Sequence, residues 1–337
     1  MLLYGIAAAS LVLFGGLLFG LRKIKKVNYS LLRKIIVGVI ILIFAVRYMS
    51  YQELQLSSAF DFSVAGAGPS SSGLNKLGNI GIWFEIFAFL VIILEPFFET
   101  DTTKFISMYV GAPLILFSTA IMPYNYLMMR GNYDITLTFV LYGIEVGGLL
   151  ALAAIKWFDE WKTKFNKPTI IKGLITTFGL LIACIPTFML VNLFGSGPDY
   201  LHVKELSQTH RIFIYLFIVI PPFFIYFFLR NESQTQIRYS LLAITLGVMI
   251  NFVAFTKYDA IFEPWRWPIH LCNTVLFVLP ICFIFKPKRL FYFTYFINVF
   301  GAMFAVLIPN TNIRENFLCA NIMRFWFNHG IAFWMPL

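Results

Sequence analysis

Residues 2–21 read LLYGIAAASLVLFGGLLFGL, twenty positions without a charge, followed at once by Arg22, Lys23, Lys25 and Lys26. A bilayer hydrocarbon core about 30 Å thick takes about 20 residues of helix, so the run is long enough to span. A cleavable signal peptide carries its positive charge ahead of a shorter apolar run; here the charge follows. The stretch reads as a first transmembrane helix with its N-terminus outside, and it sets the frame for the rest of the chain.

The composition extends that reading to all 337 residues: 59% are hydrophobic, 18% aromatic and only 12% charged, with mean hydropathy +0.79. Soluble domains carry roughly 25% charged residues. Cutting the chain at its charged and turn-rich interruptions predicts an all-α polytopic bundle of eleven spans, at 2–21, 35–51, 80–98, 105–128, 135–157, 170–195, 210–229, 239–257, 267–285, 290–308 and 320–337. With the N-terminus outside, 17 of the 26 Lys and Arg residues fall on the cytoplasmic side and 9, Arg47 among them, on the other. That asymmetry obeys the positive-inside rule and rests on the loops after spans one, five and nine. The net charge of +10 thereby belongs to membrane topology and points to no nucleic-acid partner. The expected location is a plasma membrane.

The motif search is mostly exclusion. No phosphate-binding loop, dinucleotide fingerprint, nucleophile elbow or zincin helix is present, so the sequence points to no nucleotide partner and no cofactor. Cys184, Cys272, Cys282 and Cys319 contain no CxxC pair. His270, His329 and Cys272 have the donor types for a metal but no fixed spacing on one element, and no metal is expected. The longest loop, 52–79, is rich in Gly and Ser and carries no readable function.

Polar side chains at membrane depth cost a few kcal/mol each and persist where they meet partners or a cavity. They gather in the last third of the sequence. At about 100° per residue, Arg266, His270 and Asn273 share one face of span nine, with Cys272 on a neighbouring face. Span eleven carries Asn321, Arg324 and Asn328, with His329 one step round, and span ten adds Asn298. By topology these residues converge in the outer-leaflet half. Each also has an ordinary reading: asparagines as interhelical glue, arginines snorkelling to headgroups, Cys184 and Cys282 as apolar fillers. Trp265 and Trp267 fit an interfacial belt, and Pro280 is expected to kink span nine. Glu85 and Glu145, inside apolar runs, are expected to pair with Arg47 or Arg130 or to carry protons. His202 and His210 read as solvated.

The stretch EPWRWPIHLCN (263–273), followed by Leu279-Pro280, residues 295–302, Leu307-Ile308-Pro309 and RFWFNHG (324–330), resembles the YwaF-like family of bacterial membrane proteins, to which animal transmembrane protein 164 is similar. The resemblance covers about residues 239–337, against an N-terminal part, 1–238, of about seven spans without a motif. It implies a bacterial membrane location and, from the animal relatives, a phospholipid O-acyltransferase that passes an acyl chain through a cysteine thioester. The matching residues are Cys272 as nucleophile and His329 as base, with His270, Arg266, Asn273, Arg324 and Asn328 left to hold the substrate, a membrane phospholipid. It also implies that the chain continues past Asn-His-Gly, whereas the sequence stops at Leu337 inside span eleven. Two other readings stand beside it: a secondary transporter or lipid-handling protein without covalent chemistry, and a structural partner whose histidines only hold helices together.

Overall fold

In a computed structural model, the chain is described over residues 1–22, 24, 27–58, 73–128, 136–160, 164–186, 207–253, 271–308 and 320–336, with side chains left out at 48–58, 73–79, 123–128, 209, 251–253, 271–273 and 320–324. Eleven helices and no strand occur among the described residues. They are α1 (Leu2–Arg22), α2 (Tyr29–Ser58), α3 (Gly73–Phe98), α4 (Asp101–Ile106, Ser107–Gly111 and Ala112–Met128), α5 (Thr136–Glu160), α6 (Lys167–Ala183), α7 (Gln208–Ile214, Tyr215–Val219 and Ile220–Leu229), α8 (Gln234–Val253), α9 (Leu271–Phe285), α10 (Lys288–Leu307) and α11 (Ala320–Trp334). Each falls on one expected span. Seven of them, α1 to α5, α7 and α10, contain a described stretch long and apolar enough to cross a membrane.

The described residues up to Ile182 form one compact unit and those from Ala183 onward a second. In the first, α3 is central. Every residue from Glu85 to Pro96 is buried, the pattern of a helix surrounded on all sides. Packing of α5 on α1 depends on two glycines four apart. A methyl group added at Gly143 would meet Ile6 at 2.8 Å and the Leu3 carbonyl at 3.1 Å, and one at Gly147 would meet the Ala7 carbonyl at 2.6 Å. In lipid, where apolar surface gives no drive for helices to associate, such close backbone approach supplies the dispersion contacts that hold them.

Charged residues tie the helix ends of this unit together. Arg33 of α2 pairs with Glu95 and, at 2.7 Å, with Glu99; Lys156 of α5 reaches the same two carboxylates at 3.5 and 3.7 Å. Lys104 pairs with Glu160 at 3.0 Å, and Arg22 with Asp159. Of the two partners expected for Glu85 and Glu145, Arg47 is the one that meets them: it is buried and paired with both. Burial forces that outcome, because a guanidinium inside the bundle is retained only where carboxylates compensate it.

Two π-helical turns interrupt α4 and α7, at Ser107–Gly111 and Tyr215–Val219. Each lies just before prolines, Pro113 and the pair Pro221-Pro222. A proline ring clashes with the carbonyl four residues earlier and offers no N–H; widening one turn relieves the clash.

Tight links close two hairpins. Glu99 (φ 46°) and Lys286 (φ 57°) take the left-handed conformation that ends α3 and α9, and the Thr100 side chain accepts from the Thr103 N–H at 3.1 Å to start α4. Arg238 of α8 donates to the Phe283 and Ile284 carbonyls, which lie in the last turn of α9 and lack intrahelical donors.

Candidate functional site

The second unit holds the residues singled out in the sequence. α9 packs against α8, α10 and α11, and α11 also lies against the π turn of α7. A hydrophobic cluster of Phe213, Ile218, Val306 and Trp326, edged by Phe217, Phe325, Phe327 and Phe333, joins α7, α10 and α11. Trp326 lies beside His210 and Phe213, and Trp334 beside Phe217, so α11 runs in the same direction as α7. The end of α10 meets the start of α7, where His210 Nε2 donates to the Val306 carbonyl at 2.8 Å. α10 therefore runs against both.

His210, expected to be solvated, is 1% exposed. The apolar flanks of α7 carry it into the bundle, where the Val306 carbonyl satisfies one ring nitrogen. His329 is also buried. Its Nδ1 lies 2.8 Å from the Phe325 carbonyl one turn back, and its ring lies tilted by 36° against Phe325 with centroids 4.1 Å apart. A carbonyl only accepts, so Nδ1 carries the proton and the neutral ring keeps its lone pair on Nε2, the arrangement a general base requires. Asn328 is buried beside it. Gly330 completes the Asn-His-Gly run by close approach: a methyl group there would stand 3.0 Å from the Phe217 carbonyl.

Cys272 and Asn273 are the second and third residues of α9, and Arg324 lies in the first half of α11; the side chains of all three are outside the described set. Arg266 and His270 lie outside the described residues. Asn298 is buried on the α10 face formed with Thr294, Ala302 and Val306. Among the described residues it makes no cross-helix bond of the expected kind: its Nδ2 donates to Thr294 O on its own helix at 2.9 Å, and its Oδ1 has no partner there. Cys184 is a buried filler against Gly247, as expected, and Cys282 lies beside the Thr294 hydroxyl.

These contacts supply a ruler along α10. Ten residues back from Cys282 and ten forward from Thr294, the backbone of Cys272 stands level with Phe304. Three residues on from Trp326, which packs with Val306, His329 stands level with Met303. At about 1.5 Å per residue the two backbones therefore lie within about one turn of the same height.

Fold and composition together define a multi-pass helical membrane protein. Residues 205–337 match the model of the TMEM164 family, so the chain is similar to that family over its C-terminal two-fifths, from just before α7 to its last residue. No curated protein matches the chain, and no solved structure matches it.

Proposed function

We propose that the second unit is a phospholipid acyltransferase or acyl hydrolase of a bacterial plasma membrane, working through a thioester on Cys272 in the outer-leaflet half. The observation that carries this reading is a His329 ring whose Nδ1 is held by Phe325 and whose Nε2 is left to take a proton, on a helix that packs against the one bearing Cys272. The family match of residues 205–337 supports it.

In the reaction, His329 Nε2 removes the thiol proton as Cys272 Sγ forms a bond to the ester carbonyl carbon. The ester C–O bond breaks and the lysophospholipid oxygen leaves with that proton. A second alcohol, or water, then gives its proton to His329, its oxygen bonds to the acyl carbon and the C–S bond breaks, returning the thiol. Arg266, His270 and Arg324 are assigned to the lipid phosphate, and Asn273 and Asn328 to the developing oxyanion.

The test is labelling of the purified full-length protein, in micelles with phospholipid, by a cysteine-reactive lipid analogue, followed by mass spectrometry of all four cysteines. Selective adduct at Cys272, lost in His329→Ala, is the expected result. Equal slow labelling of every cysteine, or turnover that persists in Cys272→Ser, overturns the reading and favours a carrier without covalent chemistry.

A further inference from the structure

Arg47 of α2 lies between Glu85 of α3 and Glu145 of α5, with all three side chains no more than 2% exposed. The two carboxylates are held unequally. Arg47 Nε donates to Glu145 Oε2 at 2.8 Å and Nη2 reaches Glu145 Oε1 at 3.4 Å, a two-point grip, while Glu85 meets Nη2 through Oε1. The rings of Phe44 and Tyr142 cover the guanidinium, with centroids 5.5 and 4.8 Å from Cζ. The Tyr142 hydroxyl lies 3.1 Å from Ser118 Oγ of α4.

Among the described residues the titratable groups facing this cluster are Arg47 from α2, Glu85 from α3, and Glu145 and Tyr142 from α5; α4 adds only the neutral hydroxyls of Ser118 and Thr119. Among the described residues, then, one cation faces two carboxylates. Among the described side chains the next charged layer, Arg33, Glu95 and Lys156, is ten or more residues away along the same three helices, about 15–20 Å at 1.5 Å per residue. A buried carboxylate without a counter-ion of its own takes up a proton, because the ionised form has lost its hydration.

We propose that the Arg47–Glu85–Glu145 cluster is a proton-binding site, holding one proton on Glu85 at neutral pH while Glu145 remains the anion paired with Arg47. A protonated Glu85 still accepts from Arg47 Nη2 through its carbonyl oxygen, so the geometry is kept. The site is independent of any thioester chemistry in the second unit, and either can fail alone.

Infrared difference spectroscopy of the full-length protein in micelles, in H2O and D2O, tests it. The expected result is a deuterium-sensitive protonated-carboxyl band at neutral pH that disappears in Glu85→Gln, the neutral isostere. In Glu145→Gln the band disappears as well, since Glu85 then becomes the sole carboxylate partner of Arg47 and ionises. Absence of the band in the wild type, or its survival in Glu85→Gln, overturns the proposal, and the Glu85→Gln comparison decides by itself if Glu145→Gln does not fold. Thermal unfolding gives a second readout. A native state that holds a proton the unfolded chain releases loses stability as pH rises, so the wild-type melting temperature falls between pH 6 and 9 relative to Glu85→Gln, on the order of the titration range expected for a buried acid. Parallel curves overturn the assignment.

Discussion

Trp334 Nε1 donates to the Phe217 carbonyl oxygen at 3.1 Å, across 117 residues of chain. That carbonyl has no helical donor in either register: the residue four ahead is Pro221 and the residue five ahead is Pro222. The indole of α11 supplies what the prolines of α7 cannot, and Gly330 lets the two helices close to that distance. The same α11 carries His329, so the π turn of α7 fixes the height at which the candidate base stands.

Trp334→Phe keeps the ring volume and removes the donor. Leaving a buried carbonyl unsatisfied costs about 1–3 kcal/mol, and thermal unfolding in micelles should show a lowered midpoint. Unchanged stability would mean that another group reaches Phe217.

Gly147→Ala places a methyl group 2.5 Å from Ser10 Cβ and 2.6 Å from the Ala7 carbonyl, whereas Gly179 has nothing within 4 Å. Overpacking costs about 1–3 kcal/mol, while Ala in place of an open helical Gly gains up to about 1 kcal/mol. The two variants should therefore shift the melting temperature in opposite directions.

Arg33→Met leaves the buried Glu95 with Lys156 alone, 3.5 Å away, and should cost about 1–3 kcal/mol, the range for a buried charged group that loses one hydrogen-bonding partner. Arg22→Gln breaks the more exposed pair with Asp159, where the cost stays near 0–1 kcal/mol. Similar costs for both would contradict the burial difference between the two pairs.

His329→Gln should lower acyl turnover by about 10²–10⁴-fold, the usual contribution of a general base, with the fold retained. His210→Gln should do the reverse. It weakens the bond to Val306 and lowers stability by about 1–3 kcal/mol, yet leaves Cys272 labelling intact. Equal loss of labelling in both variants would place His329 with His210 as a structural group.

Much of the fold was legible because a membrane imposes a coarse rule. Apolar runs such as 2–21 and 290–308 have to be helices of a known length, and each of the eleven expected segments carries one. Side-chain partners were less legible. His210 reads as solvated because it sits near a loop in sequence, and Asn298 reads as interhelical glue because asparagine often is; both readings miss which carbonyl is nearest. The π turns have a sequence signal, proline after an uninterrupted apolar run, but the signal does not distinguish a kink from a widened turn.

The sequence by itself determined the class of fold, the helical segments and the residue types available for chemistry, since these follow from hydropathy and from what each side chain can do. Tertiary structure decided which of the possible partners meet, Glu85 and Glu145 sharing Arg47. Arg47 lies 38 residues from Glu85 and 98 from Glu145. Separations of that size in sequence become contacts only when helices choose neighbours, and that choice rests on close approach at positions such as Gly143 and Gly147 and on carbonyls such as that of Phe217 finding a donor on another helix.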